Sequence, residues 1–192
     1  MADAELSRRN LLLHSSRALG LTSLAHYWPA ILAAQEHAHQ TPEQGSAPPR
    51  LQFFSAEQAE EVEAIAAQII PTDDMPGARE ARVIYFIDRA LATVDNDKQH
   101  AYLTGLDQLR TKTHELFRGT DRLSELTPDQ QTTVLKTIEH ADFFDLVRTH
   151  TIIGFFANPE YGGNFNRAGW KLIGFEDAFS FHPPFGYYDA GA

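Results

Sequence analysis

The sequence predicts an all-α fold, a single domain of about five helices followed by a long irregular aromatic C-terminal tail. Apolar residues recur every three or four positions between residues 53 and 157, which is the period of amphipathic helices. Capping and breaking residues separate these runs. No alternating apolar–polar stretch predicts a strand. The chain has 192 residues and is 43% hydrophobic, enough for one core.

Each of the first three predicted helices has a boundary signal and an apolar face. Ser55 and Gln58 match a capping box, so the first helix begins after Ser55, and Pro71 ends it. The second is predicted over about 78–94 and the third over 98–117, with a polar break between them. The predicted inward-facing residues are Val62, Ile65, Ile69, Ile84, Ile87, Leu91, Tyr102, Leu106, Leu109, Thr113 and Leu116.

The fourth helix has the most compact start signal. Thr127 is a good N-cap, Pro128 suits the first helical position, and Gln130 completes a capping box. The fifth helix is predicted over 142–157, because Asn158 precedes a proline. The predicted inward-facing residues of these two helices are Leu135, Ile138, Phe143, Phe144, Val147, Ile153 and Phe156.

Residues 1–34 have the pattern of a twin-arginine signal peptide. Arg8 and Arg9 precede a weakly apolar run that His14 and Arg17 interrupt, so it is too broken for a spanning helix. This export route carries folded proteins and predicts a periplasmic location. An ordinary amphipathic helix with an accidental arginine pair is the alternative. Residues 35–52 are rich in Pro, Gln and His and are predicted to be a linker.

Composition excludes several classes of function. The formal net charge of −10 argues against a nucleic-acid partner, because phosphate binding requires clustered Lys and Arg. The absence of cysteine excludes disulfides, thiolate zinc sites, iron–sulfur clusters held by the chain and cysteine nucleophiles.

The sequence predicts no catalytic residue, no cofactor-binding residue and no metal ligand. Asp73 and Asp74 are adjacent carboxylates, but in a proline-bounded turn they are typical of local caps. The helical histidines share no ligand spacing: His100, His114, His140 and His150. Glu36, His37 and His39 lie in the predicted linker. A stand-alone metal-dependent enzyme using these histidines is the alternative hypothesis.

The segment NPEYGGNFNRAGWKLIGF, residues 158–175, raises the question of a phosphate site. Five residues separate Gly163 from Gly169, and Trp170 stands between Gly169 and Lys171, so the P-loop pattern fails. The dinucleotide fingerprint is absent, and the segment follows a helix instead of a strand. The glycines therefore predict tight turns, while the aromatic residues are of types enriched at interfaces.

The tail continues this aromatic character. Residues 179–188 contain five aromatic side chains and Pro183-Pro184, which excludes a helix. Such a segment is expected to lie against this domain or, as we favour, against another chain. Residues 158–192 are therefore predicted to be a docking segment and tail. The predicted interface comprises Tyr161, Gly162, Gly163, Asn164, Trp170, Phe175, Phe181, His182, Phe185 and Tyr187.

Two stretches together resemble the gluconate 2-dehydrogenase subunit 3 family. They are IIPTDDMPGAREARVIYFID, residues 69–88, and the 158–175 segment, and the likeness covers most of the chain after the linker. The family comprises small, or gamma, subunits of bacterial membrane-associated flavin dehydrogenases that act on sugars and sugar acids. The resemblance implies a subunit without catalytic residues or a cofactor of its own.

The resemblance also implies partners. The small subunit is expected to bind a large flavoprotein of the glucose–methanol–choline (GMC) type, which contains FAD and lacks an export signal. It would carry that subunit to the periplasm and remain bound as a chaperone-like structural subunit. A multihaem cytochrome c, holding haem c, often completes such complexes. A general chaperone for many exported proteins is the other alternative.

Overall fold

The structure is a computed structural model, and it describes residues 49–178. This range contains six α-helices and no strand, which confirms the all-α prediction. The helices are α1 Ala56–Ile69, α2 Val83–Ala92, α3 Gln99–Leu116, α4 Pro128–Lys136, α5 Asp142–Phe156 and α6 Ala168–Leu172. Several predicted residues lie outside the described range: Arg8, Arg9, Glu36, His37, His39, Phe181, His182, Phe185 and Tyr187.

Both predicted capping boxes are present. The Gln58 N–H donates to Ser55 Oγ at 3.2 Å, and Gln58 Oε1 accepts from the Ser55 N–H at 3.0 Å. Thr127 and Gln130 repeat this exchange ahead of α4, where Pro128 occupies the first helical position. The boxes satisfy backbone N–H groups that a helix start otherwise leaves without partners. Local sequence alone therefore defines where α1 and α4 begin.

The core lies where α1, α2 and α5 pack on one another, and α3 and α4 close its sides. One continuous cluster of buried side chains fills it. Its fully enclosed members include Val62, Ile65, Ile87, Leu91, Tyr102, Leu109, Val134, Val147 and Phe155. The predicted inner faces of the first four helices are largely confirmed by this cluster.

Two predicted core residues are exposed. Leu116 is the last residue of α3, where the chain turns away from the core. Ile153 lies on the outer side of α5, because the buried positions of that helix follow a different stripe. That stripe contains Phe143, Val147, His150, Thr151, Gly154 and Phe155. At helical spacing, the buried positions of α5 therefore include two polar residues and leave Ile153 exposed.

The start of α2 also differs from the prediction. The helix begins at Val83, whereas residues 78–82 form turns. Arg82 has a φ of 54°, a left-handed conformation that cannot continue a helix. Ala78 and Ala81 are nevertheless buried, so this stretch belongs to the core without being helical.

A buried carboxylate fixes the chain ahead of α1. Asp88 on α2 accepts the backbone N–H groups of Gln52, Phe53 and Phe54 at 2.6, 2.9 and 2.9 Å. Three donors compensate the cost of removing the carboxylate from water. The end of the predicted linker is thereby attached to the middle of the fold.

The described part of the predicted tail is more regular than its glycines suggested. Two 3₁₀ turns, Pro159–Tyr161 and Phe165–Arg167, are followed by α6. This stretch packs on α5 and on α2, and it is the part of the molecule that the sequence singled out for docking.

Candidate docking site

We call residues 158–175 the clasp, because they enclose the C-terminal end of α5. The Trp170 indole N–H donates to the carbonyl of Phe156 at 2.8 Å, and the Asn164 amide N–H donates to the carbonyl of Ala157 at 2.8 Å. Carbonyls in the last turn of a helix have no partner within the helix. The clasp supplies those partners from side chains.

Asn164 connects the two ends of the clasp. Its side chain is fully buried, and its Oδ1 accepts the Gly169 N–H at 2.8 Å at the beginning of α6. Its backbone has a φ of 48°, a left-handed conformation that asparagine tolerates better than most residues. One amide thus links the end of α5 to the start of α6.

The clasp glycines allow the backbone to approach α5 closely. A Cβ atom on Gly163 would lie 2.2 Å from the Gly154 carbonyl oxygen, and one on Gly169 would lie 2.0 Å from that of Phe155. Gly162 has a φ of 106°, which side chains rarely adopt. Packing against α5 and backbone conformation therefore account for these three glycines without a phosphate.

The clasp is also attached to the α2 region. The Phe165 N–H donates to the carbonyl of Ala81 at 3.0 Å, and the Arg82 guanidinium lies 3.6 Å from the centroid of the Phe165 ring. Arg89 donates to the carbonyl of Glu160 at 2.6 Å. Residues 69–88 and 158–175, recognised separately in the sequence, therefore meet in the fold.

The predicted interface residues differ in how accessible they are. Gly163, Asn164 and Trp170 are buried within the domain, and Trp170 is only 9% exposed. Tyr161 and Gly162 are half-buried, and partial burial raises the pKa of Tyr161. Phe175 is 49% exposed, and its ring centroid lies 5.0 Å from that of Trp170. Of the predicted residues that are described, Phe175 presents the largest exposed apolar side chain.

The family model for "Gluconate 2-dehydrogenase subunit 3" matches residues 56–177 of this chain. The chain belongs to this family. The match takes in all six helices and the whole clasp, so membership is shown for the same region that forms the described fold. The family name identifies the chain as an accessory subunit of a multisubunit dehydrogenase, which implies partner subunits. No curated protein and no solved structure shows significant similarity to the chain.

Four further exposed apolar residues are not among the interface residues predicted from the sequence. Ile152 and Ile153 lie near the end of α5, and Leu172 and Ile173 lie at the end of α6. Together with Phe175 they form what we call the apolar surface. The outward positions of Ile152 and Ile153 could have been inferred from the α5 stripe, because neither residue shares its spacing with Phe143 and Val147.

Buried polar groups between α3 and α5 form the other unusual cluster. The Tyr102 hydroxyl lies 2.9 Å from His150 Nδ1, and His150 Nε2 lies 3.6 Å from Asp95 Oδ2. Burial lowers the pKa of His150 to about 4 and raises the pKa values of Asp95 and Tyr102. All three side chains are buried, so a substrate would not reach them. The contact between Tyr102 and His150 joins α3 to α5, and Asp95 lies in the connection between α2 and α3.

The remaining candidate residues lie in a turn or at the surface of the described domain. Asp73 accepts the Met75 N–H at 2.8 Å, which confirms it as a turn cap, and Asp74 is exposed. His100, His114 and His140 are exposed. Within residues 49–178, no three or more His, Asp or Glu side chains are grouped to hold a metal ion. In the same range, no helix has the length and hydropathy needed to cross a membrane.

Proposed function

We propose that this protein is the non-catalytic small subunit of a periplasmic, FAD-dependent sugar or sugar-acid dehydrogenase. It binds a large GMC-type flavoprotein, assists its folding and assembly, directs its twin-arginine export and remains bound to it. The observation that carries the proposal is the family match over residues 56–177. FAD belongs to the large subunit, and in complexes that include a multihaem cytochrome c, that cytochrome holds haem c.

The architecture of the clasp supports this role. Its indole, its amide and three of its glycines serve contacts with α5 and α2, so the segment that looked most like a ligand loop is committed to internal structure. Among the residues that the clasp leaves exposed are three large apolar ones, Leu172, Ile173 and Phe175. An exposed apolar surface on a rigid support suits a protein partner.

The predicted export route fits a flavin-containing passenger. The twin-arginine system moves folded proteins, so a flavoprotein can take up FAD in the cytoplasm before it crosses. A passenger without its own signal would then depend on Arg8 and Arg9 of the small subunit.

Co-expression with GMC-type flavoproteins of the same organism tests the proposal. We expect the chain to co-purify with one flavoprotein, and the complex to contain FAD and oxidise a sugar with an artificial dye. Activity of the chain alone would instead favour a stand-alone enzyme. Binding to many unrelated exported proteins would favour a general chaperone.

The export step is tested with an Arg8→Lys, Arg9→Lys variant. We expect the large subunit to stay in the cytoplasm with this variant, because the paired arginines identify the export signal. Arg17→Lys is the matched control, because Arg17 lies in the same region but has no second arginine next to it in the sequence. This variant should leave export unchanged. Normal periplasmic activity with the double variant would contradict the export role.

A further inference from the structure

The apolar surface is connected through the clasp. Phe156 follows Ile152 by one helical turn on α5, so the two residues are neighbours on that helix. The Trp170 indole is hydrogen-bonded to the Phe156 carbonyl, and the Phe175 ring packs on the Trp170 ring. The Trp170 side chain therefore links the last turn of α5, which follows the two exposed isoleucines, to Phe175 after α6.

The exposed area of the residues in the apolar surface is comparable with the largest apolar patch of a typical monomer, and such patches are often functional. Their five side chains are between 41% and 61% exposed. They present on the order of 500 Å² of apolar area, near the upper end of the largest patches that monomers expose. This is somewhat more than half of what one partner contributes to a standard interface, roughly 800 Å². A partner that also contacts the neighbouring residues of this protein would bury an area of the standard size.

The direction of the chain adds a second argument. The described structure ends at Ala178, three residues after Phe175, and the sequence continues with the aromatic residues of 179–188. A partner that covers the apolar surface would therefore lie close to the point in the chain after which those aromatic residues follow in sequence. Aromatic residues are the types most enriched at the centre of protein interfaces.

Charge argues against a second copy of this chain as the occupant. Each copy has a formal net charge of −10, and this overall repulsion disfavours the association of two copies. A different protein carries no such constraint. The family name points to such a protein, because a chain of the "subunit 3" family implies other subunits.

We propose that the apolar surface, formed by Ile152, Ile153, Leu172, Ile173 and Phe175, is the docking site for the large dehydrogenase subunit. This inference rests on the proposed function. Because α5 is capped by Trp170 and Asn164, the surface is held in place before binding, which limits the entropy lost on association.

Photo-crosslinking identifies the occupant directly. A photoreactive amino acid at Ile173, the most exposed position at 61%, should crosslink to the large subunit in the full complex. The same amino acid at Leu103, an exposed residue of α3, is the control and should give little of that product. Crosslinks from position 173 to a second copy, or to residues 179–192 of the same chain, would overturn the proposal.

Affinity measurements test the energetic contribution. In the full-length chain, Ile152→Asn and Ile173→Asn should each weaken binding to the purified large subunit by about tenfold or more. Leu103→Asn is the matched control, because it also exchanges an exposed aliphatic residue, and its Kd should equal that of the wild type. Thermal unfolding confirms that each variant is folded.

The outcomes separate this inference from the function on which it rests. If wild-type chain binds the flavoprotein and both isoleucine variants bind equally well, the docking site is wrong and the proposed function stands. If wild-type chain binds no flavoprotein, the proposed function itself fails.

Discussion

The helices and the clasp differ in how far apart in the sequence the residues lie that determine their structure. Ser55 and Gln58, which begin α1, are three residues apart and exchange two hydrogen bonds. Arg89 and Glu160, which attach the clasp to α2, are 71 residues apart. The helix starts therefore depend on neighbours in the chain, whereas the clasp takes its shape from contacts that exist only in the folded domain.

Gly169→Ala should break the clasp with the largest effect. The new Cβ would lie 2.0 Å from the Phe155 carbonyl oxygen, a backbone atom that cannot move without disturbing α5. We expect a loss of about 3 kcal/mol or more in the free energy of unfolding, or a failure to fold. Urea unfolding and soluble yield measure this loss.

Gly119→Ala is the matched control for that substitution. A Cβ at Gly119 meets no atom within 4 Å, so the change should stay within about 0.5 kcal/mol. Equal stability of the Gly169 and Gly119 variants would show that α5 and α6 are not in close contact as described.

His150 combines local and long-range determinants. The helical period places it inward, while its neighbours Tyr102 and Asp95 come from distant parts of the sequence. Burial lowers the pKa of His150 from 6.5 to about 4. The unfolded chain therefore binds the proton more tightly, so stability is full above pH 6.5 and falls as the pH decreases toward 4. The loss from this group is about 3 kcal/mol. Asp95, whose pKa burial raises, offsets part of it.

Urea unfolding between pH 7 and pH 5 measures this dependence. His150→Gln should flatten it, because the titrating group is removed. His140→Gln is the control, because the His140 side chain is 93% exposed, and it should retain the wild-type slope. An unchanged slope in the His150 variant would assign the acid sensitivity to other groups.

Ser55→Ala tests the local side of the comparison and should have the smallest effect. It removes the side-chain acceptor of the capping box and should cost about 1 kcal/mol. Thr133→Ala, on the exposed surface of α4, is the control and should change stability little, because alanine favours helix. A Ser55 effect as large as that of Gly169 would remove the distinction between the two regions.

The sequence predicted most of the helical architecture because periodicity and capping act over short distances. Both capping boxes, the proline ending α1 and the inner face of α2 are as expected. The inner face of α5 was only partly predicted, because its stripe includes His150 and Thr151, which hydropathy alone places outside. The helical period was the better guide.

The candidate site was less predictable for a physical reason. An aromatic residue near glycines can face a partner or its own core, and composition does not distinguish the two. Trp170 points inward and donates to the carbonyl of Phe156, a helix-end carbonyl that comes beside the indole only in the folded domain. Leu172 and Ile173 are exposed, although neither is among the predicted interface residues.

The Asp88 contact also determines how a pulling force on the chain ahead of α1 is transmitted to the fold. The backbone of Gln52, Phe53 and Phe54 is held by one carboxylate on α2, which itself packs on α1 and α5. Tension applied to the chain ahead of Gln52 therefore reaches α2 before it reaches the first turn of α1. When the protein is pulled by its N-terminal end, the force acts on α2 in the middle of the fold, and α1 is not the first element to be pulled off.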